Sequence, residues 1–172
     1  LSGDAVLPAD LSIRKFDWGD VPAITAIYGH YVEHSVVTFD TTTPTESQIA
    51  EKYGHMAEMG HPVLIAESRG ETVGYAYASV YRPRHAYRFT CEDTIYLAPT
   101  ATGKGFGSAL MGRLIIDAQA FGFKQMIAVI AAGTDGSIRL HEKHGFAILG
   151  TFPDLGYKFD RWVGIVHMQR AL

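Results

Sequence analysis

Cysteine is almost absent. The 172 residues hold one, Cys91, which leaves no intrachain disulfide and sets the expectation of a reducing, cytoplasmic location. Long apolar runs are missing as well: stretches such as Met126 to Ala132 fall far short of the ~20 residues that cross a bilayer. Nor is there an excess of positive charge. With 15 Lys and Arg against 18 Asp and Glu, the formal charge is −3, which argues against a nucleic-acid or anionic-membrane surface and leaves any basic site local. Residues Leu1 to Asp10 lack both a basic start and an apolar run, so they read as a tail rather than a signal peptide. No repeat, linker or low-complexity tract interrupts residues 11–172. At 47% hydrophobic content, that stretch fits one globular domain with a sizeable core.

What the chain has is glycine in one telling place. Pro99-Thr100-Ala101-Thr102-Gly103-Lys104-Gly105-Phe106-Gly107-Ser108 sets three glycines at alternate positions before a helical segment that ends at Phe121-Gly122. Glycines let backbone N–H groups turn toward a ligand without a Cβ in the way, and the following helix offers unpaired N–H groups and a partial positive charge. A pyrophosphate cradle is one reading; a ligand-free turn is the other. Two commoner cradles are excluded, because Lys104 is followed by Gly105 rather than a hydroxyl residue, and neither glycine register completes Gly-x-Gly-x-x-Gly.

Periodicity predicts the order β-α-α-β-β-β-α-β-α-β-β, one mixed α/β layer with helices on both faces. Asp20 with Pro22 opens the first helix and Thr43-Pro44-Thr45-Glu46 the second. A strand over Phe89 to Leu97 runs straight into the glycine loop, Ser137 is expected to cap a short helix ended by Gly145, and strands over Phe146 to Phe152 and Trp162 to Gln169 close the chain.

That strand carries Glu92, placed to act as a general base beside a reactive end of a cofactor held by Gly103 to Ser108. Its neighbour Asp93 faces the opposite side of a regular strand. Each could equally be a solvated carboxylate. Upstream, Arg82-Pro83-Arg84 sets two guanidinium groups on a stiffened loop, suited to clamp a carboxylate or phosphinate or simply to sit in water. Cys91 next to Glu92 reads as buried packing, and Phe39, Tyr75, Tyr77 and Tyr87 as core or edge aromatics. His30 and His34 stand one turn apart, and His141-Glu142-Lys143-His144 lacks His-Glu-x-x-His spacing, so no metal is expected.

Thr102 to Gly107 resembles the acetyl-CoA loop of the GCN5-related N-acetyltransferases, Gln/Arg-x-x-Gly-x-Gly/Ala, with Thr102 in place of the usual Gln or Arg. Three longer stretches, His30 to Phe39, Arg82 to Leu97 and Ala128 through Phe146, resemble the phosphinothricin and methionine sulfoximine acetyltransferases. The likeness spans Leu11 to about His167. It implies a mixed, mostly antiparallel sheet flanked by helices, acetyl-CoA as co-substrate, and transfer of acetyl to the α-amine of a small amino acid or analogue. It further implies Glu92 as base and His141 as an acid or pantetheine contact. Acetyl-CoA would be bound by Ile95, Tyr96, Leu97, the loop residues Gly103, Lys104, Gly105, Phe106, Gly107 and Ser108, and by Thr134 and Ser137. Phe39, Arg82, Pro83, Arg84, Glu92, Asp93 and Thr94 would line the amino-acid site. Thr134 departs from the family's usual Asn. A homodimer is implied too, with neither nucleic acid nor membrane as partner. Two rivals stand beside this: acetylation of another amine, such as a polyamine or a peptide N-terminus, and a degenerate acetyl-CoA sensor.

Overall fold

Strand Thr90–Leu97 (β4) lies at the centre of the sheet, with Cys91 and Asp93 buried and its other residues half-buried. The computed structural model describes residues 8–172; the predicted tail, Leu1 to Asp10, therefore falls mostly outside the described residues. Around β4 stand β1 (Leu11–Lys15), β2 (Val63–Ser68), β3 (Glu71–Val80), β5 (Gln125–Ala131), β6 (Ala147–Lys158) and β7 (Arg161–Ala171). Among the described residues they form one sheet in the order β1-β2-β3-β4-β5-β7-β6. Every pairing is antiparallel except β4 with β5.

The helices are α1 (Val21–His34), α2 (Glu46–Glu58), α3 (Phe106–Phe121) and α4 (Asp135–Lys143). Strand alternation divides the core in two. Leu64, Ala66, Ala76, Ala78 and Cys91 pack against Leu110, Met111, Leu114 and Ala118 of α3. Ile65, Tyr75 and Tyr77 face the other way, onto Ile24 and Ile27 of α1 and Ile49 and Tyr53 of α2. Each fully buried large apolar side chain contributes about 1.5–3 kcal/mol.

Local starts and stops differ from the sequence reading in three places. Asp20 precedes α1 but makes no capping bond, because its carboxylate accepts from Arg14 at 2.8 and 2.6 Å and from the Asp17 amide at 2.7 Å. Ser137 does not cap α4: the helix starts at Asp135 and Ser137 sits inside its first turn. β6 continues past Phe152 to Lys158, since bulges at Ile148/Gly150 and Phe152/Gly156 absorb Pro153 and the glycines that sequence punctuation marks as breaks. Thr45, by contrast, caps α2 as its sequence demands, in a reciprocal box with Gln48.

Candidate active site

The parallel pairing of β4 with β5 covers three positions only, ending at Glu92 opposite Ile127. Past that point the strands part. β5 stays paired to β7 as far as Ala131 opposite Ile165, and β4 to β3 as far as Leu97 opposite Gly74. A wedge therefore opens between Asp93–Leu97 and Ala128–Ala131, and a cleft of about 660 Å³ fills it.

One half of the cleft is built from backbone. The facing edges of β4 and β5 have lost their strand partner there, so their N–H and C=O groups are available to an extended polyamide. Next to them the loop turns through Gly103 and Gly105, whose φ angles of 74° and 81° belong to the left-handed region that side chains disfavour. α3 starts immediately after; its first helical bond within the chain runs from the Ala109 amide to the Gly105 carbonyl. Helix geometry thereby leaves the amides at Phe106, Gly107 and Ser108 without intrahelical acceptors. Gly103 and Gly107 line the cleft, and an anion there meets oriented N–H groups and the positive end of a 16-residue helix.

The other half is built from side chains. Tyr28 and Tyr31 of α1, Lys52 and Tyr53 of α2, Tyr77 of β3, Glu92, Thr94 and Tyr96 of β4, and Val37, Thr38 and Phe39 of the α1–α2 connection converge on it. The Tyr31 hydroxyl donates to the Leu97 carbonyl at 2.7 Å, fixing the end of β4. Burial raises the Glu92 pKa and the charge of Asp93 adds to the rise, while Arg82 and Lys52 act in the opposite sense. A carboxylate held above its ordinary range, at the point where the strands part, is a stronger proton acceptor than an exposed one.

Asp93 does face the opposite side, and it is buried. Its Oδ2 lies 3.0 Å from Nε2 of His141, whose Nδ1 lies 2.7 Å from the Ser137 carbonyl oxygen. Both ring nitrogens therefore face acceptors, the arrangement of a doubly protonated imidazolium. Burial alone lowers the His141 pKa, yet the Asp93 hydrogen bond and charge, with the Ser137 carbonyl, outweigh it and the net direction is up. The pair ties α4 to β4 across the cleft. Asp93 Oδ1 has no hydrogen-bond partner among the described residues.

Residues 24–146 match the acetyltransferase (GNAT) family. The chain belongs to that family. It is similar to the phosphinothricin N-acetyltransferase of Alcaligenes faecalis, 42% identical over 162 residues that cover 94% of this chain and 82% of the relative. It is also similar to the L-methionine sulfoximine/L-methionine sulfone acetyltransferase of Salmonella typhimurium, 37% identical with 94% and 95% covered. Among solved structures, the Sinorhizobium meliloti phosphinothricin acetyltransferase in complex with acetyl-CoA superposes with a TM-score of 0.92 at 41% identity, covering 95% of this chain and 89% of that one. The free strand edges and glycine-loop amides suit acetyl-CoA in size, shape and charge.

Within this acetyltransferase, the cleft brings together Phe39, Glu92, Asp93, Thr94, Ile95, Tyr96, Leu97, Gly103, Gly107, Thr134, Ser137 and His141. It does not take in Arg82, Pro83 or Arg84, which lie exposed on the β3–β4 connection; Arg82 instead stacks on Tyr81, 4.8 Å from the ring centroid. Lys104 and Gly105 are exposed at the rim, and the Phe106 side chain is buried in the core, so those three can offer a ligand only what their backbone or a mobile ammonium provides. Ser108 Oγ is engaged with His144 Nε2 at 2.9 Å. The Thr134 hydroxyl donates to the Ala131 carbonyl, which leaves only its lone pairs for a pantetheine amide. Both ring nitrogens of His141 and Oδ2 of Asp93 are engaged, and Asp93 Oδ1 is the atom of the pair left without a partner among the described residues. Cys91 is fully buried and its thiol is pushed up to about 12, chiefly by burial. Sequence reasoning missed Lys52, Tyr28, Tyr31 and Tyr53. The two α1 tyrosines share the apolar stripe of their helix and so read as core; for Lys52 no signal exists, because an exposed helix lysine is ordinary. Among the described residues no His, Cys, Asp or Glu cluster is arranged for a metal ion, and no helix is long and apolar enough to cross a membrane.

Proposed function

We propose that this acetyltransferase moves acetyl from acetyl-CoA to the α-amine of a small amino acid or analogue, of the phosphinothricin, methionine sulfoximine or methionine sulfone type. The observation that carries the reading is Glu92: a half-buried carboxylate with a raised pKa, at the mouth of a cleft whose other half is a backbone cradle. Acetyl-CoA supplies the activated thioester. Glu92 accepts a proton from the acceptor ammonium, directly or through water, and frees the lone pair that forms the C–N bond as the C–S bond breaks; the CoA thiolate leaves and takes up the second nitrogen proton as the thiol. The partial positive charge of the α3 N-terminus favours the phosphates, and the β4 edge aligns the reacting carbonyl. Tyr28, Tyr53, Tyr77 and Tyr96 line the cleft with Glu92 and give it an aromatic wall.

Lys52 is the lysine that lines this wall, with Nζ 5.1 Å from the Tyr77 ring centroid, and it supplies positive charge for an acid group on the acceptor. Arg82 and Arg84 reach that group only if the exposed loop folds inward on substrate. The reading extends to a cytoplasmic homodimer. Supporting a dimer are the exposed apolar side chains on β6 and β7, including Leu149, Phe152, Leu155, Tyr157 and Trp162, since exposed apolar surface that gathers into a patch marks interaction sites. Thiol release from acetyl-CoA, measured over a panel of amino acids, their amides, polyamines and a short peptide, tests the function. Turnover restricted to free amino acids supports it; turnover on polyamines alone, or binding of acetyl-CoA without turnover, rejects it. Sedimentation tests the dimer.

A further inference from the structure

The segment that walls the acceptor half, Ser35 to Asp40, has no helix or strand of its own. It is gripped from a distance. Lys158, at the end of β6 and 4% exposed, donates from Nζ to the Ser35 carbonyl at 2.7 Å and to the Thr38 carbonyl at 2.9 Å. Among the described residues no carboxylate pairs with this ammonium. A lysine is rarely buried without a counterion, and it persists only where its donors are satisfied, as here by two carbonyls.

Two further features of the same hairpin point to the same segment. Gly156 lies so close to Phe39 that a Cβ there would come within 2.3 Å of the ring. The turn linking Lys158 to Arg161 puts Phe159 at φ 52° and Asp160 at φ 56°, a two-residue mirror-image turn normally made with Gly or Asn. A phenylalanine in that conformation is strained, and its ring lies 5.0 Å from the Lys158 ammonium. The backbone is thus held in a costly shape that brings Lys158 onto the wall.

We propose that the β6–β7 hairpin tip is a specificity determinant of the acceptor site. Lys158 and Gly156 fix the position of Val37, Thr38 and Phe39, and through them decide which acceptor side chains the cleft admits. Lys158 acts as a positioning residue: it touches wall backbone, not the reacting atoms. The inference rests on reading this half of the cleft as the amino-acid site.

The test uses Lys158→Met and Gly156→Ala in the full chain, each assayed with one short and one long amino-acid acceptor beside calorimetric titration of acetyl-CoA. Loss of charge-assisted hydrogen bonds predicts an acceptor KM raised about ten- to a hundredfold in Lys158→Met, with kcat and acetyl-CoA affinity unchanged and the preference between the two acceptors altered. Gly156→Ala, which pushes on Phe39 without removing the lysine, should show the same split. Acceptor and cofactor constants that move together, or acceptor constants that do not move in either variant, overturn the proposal. Hydrogen exchange at Val37 and Asp40, whose amides are held by Ser35 and Thr38 side chains, separates this from the acceptor reading itself. If the wild type acetylates no amino acid, that reading fails, while faster exchange in Lys158→Met still upholds the grip and unchanged exchange removes it.

Discussion

On the cofactor side of the cleft the polar groups come from backbone: the parted edges of β4 and β5 and the amides where α3 begins. On the acceptor side they come from side chains delivered by α1, α2, β3, β4 and the α1–α2 connection. The first kind of site tolerates change in side chains, provided the glycines remain, because any residue carries an N–H. The second kind is set by the placement of five separate segments. Substrate choice can therefore drift while the cofactor half stays constant, and Glu92 sits on the seam between them.

The largest expected effect tests that seam. Glu92→Gln should lower kcat/KM by about 10²–10⁴ while acetyl-CoA affinity stays at the wild-type value by calorimetry; a loss of cofactor affinity would mean the halves are not separable. The same variant should melt at a slightly higher temperature at neutral pH. A carboxylate whose folded pKa is raised disfavours the fold as pH climbs through that pKa, and glutamine removes the penalty.

Next comes His141→Gln, which leaves Asp93 buried without a charged partner. Breaking such a pair costs about 3–5 kcal/mol, seen as a lowered Tm with the glycine loop untouched. The pair's pH signature has a definite sign: its stabilisation is complete below the ordinary histidine value of 6.5 and is lost as pH rises through the raised folded pKa. A wild-type Tm that falls over that interval, and a variant Tm that does not, is the expected result. Gly105→Val follows, since a β-branched residue resists a φ of 81°. It should weaken acetyl-CoA binding about ten- to a hundredfold without changing the acceptor preference, measured as the ratio of kcat/KM for two amino acids.

How much was legible follows the same division. The glycine loop, the helix after it and the strand before it are local in sequence, so the cradle and Glu92 could be read from contiguous residues. Alternation along β4 was enough to send Glu92 and Asp93 to opposite faces. What sequence could not reveal is that the buried face holds a histidine 48 residues away, which engages one carboxylate oxygen of Asp93 in an ion pair. Nor could it place Arg82 and Arg84: two arginines about a proline suggest a clamp, yet nothing local says on which side of the connection they project. Local pattern predicts a strand only as far as Phe152, and it is the pairing with β7 that shows how bulges carry β6 past Pro153 and Gly156. Lys158, past that point, was beyond reach for the same reason.

The smallest effects sharpen the electrostatics. Removing Lys52 or Arg82 takes positive charge from around Glu92, so Lys52→Ala and Arg82→Ala should each shift the acid limb of activity to slightly higher pH. Arg82 is fully exposed and its effect should fade with added salt. Lys52→Ala should also raise the acceptor KM more than Arg84→Ala does.

The most direct measurement is the pH dependence of single-turnover acetyl transfer from the enzyme–acetyl-CoA complex to a saturating amino acid, in the wild type and in Glu92→Gln. With Glu92 as base, the wild-type rate falls on the acid side through a pKa above the ordinary carboxylate range, and the variant is slow with that limb gone. An identical acid limb in the variant, or equal rates at neutral pH, would contradict the assignment of Glu92.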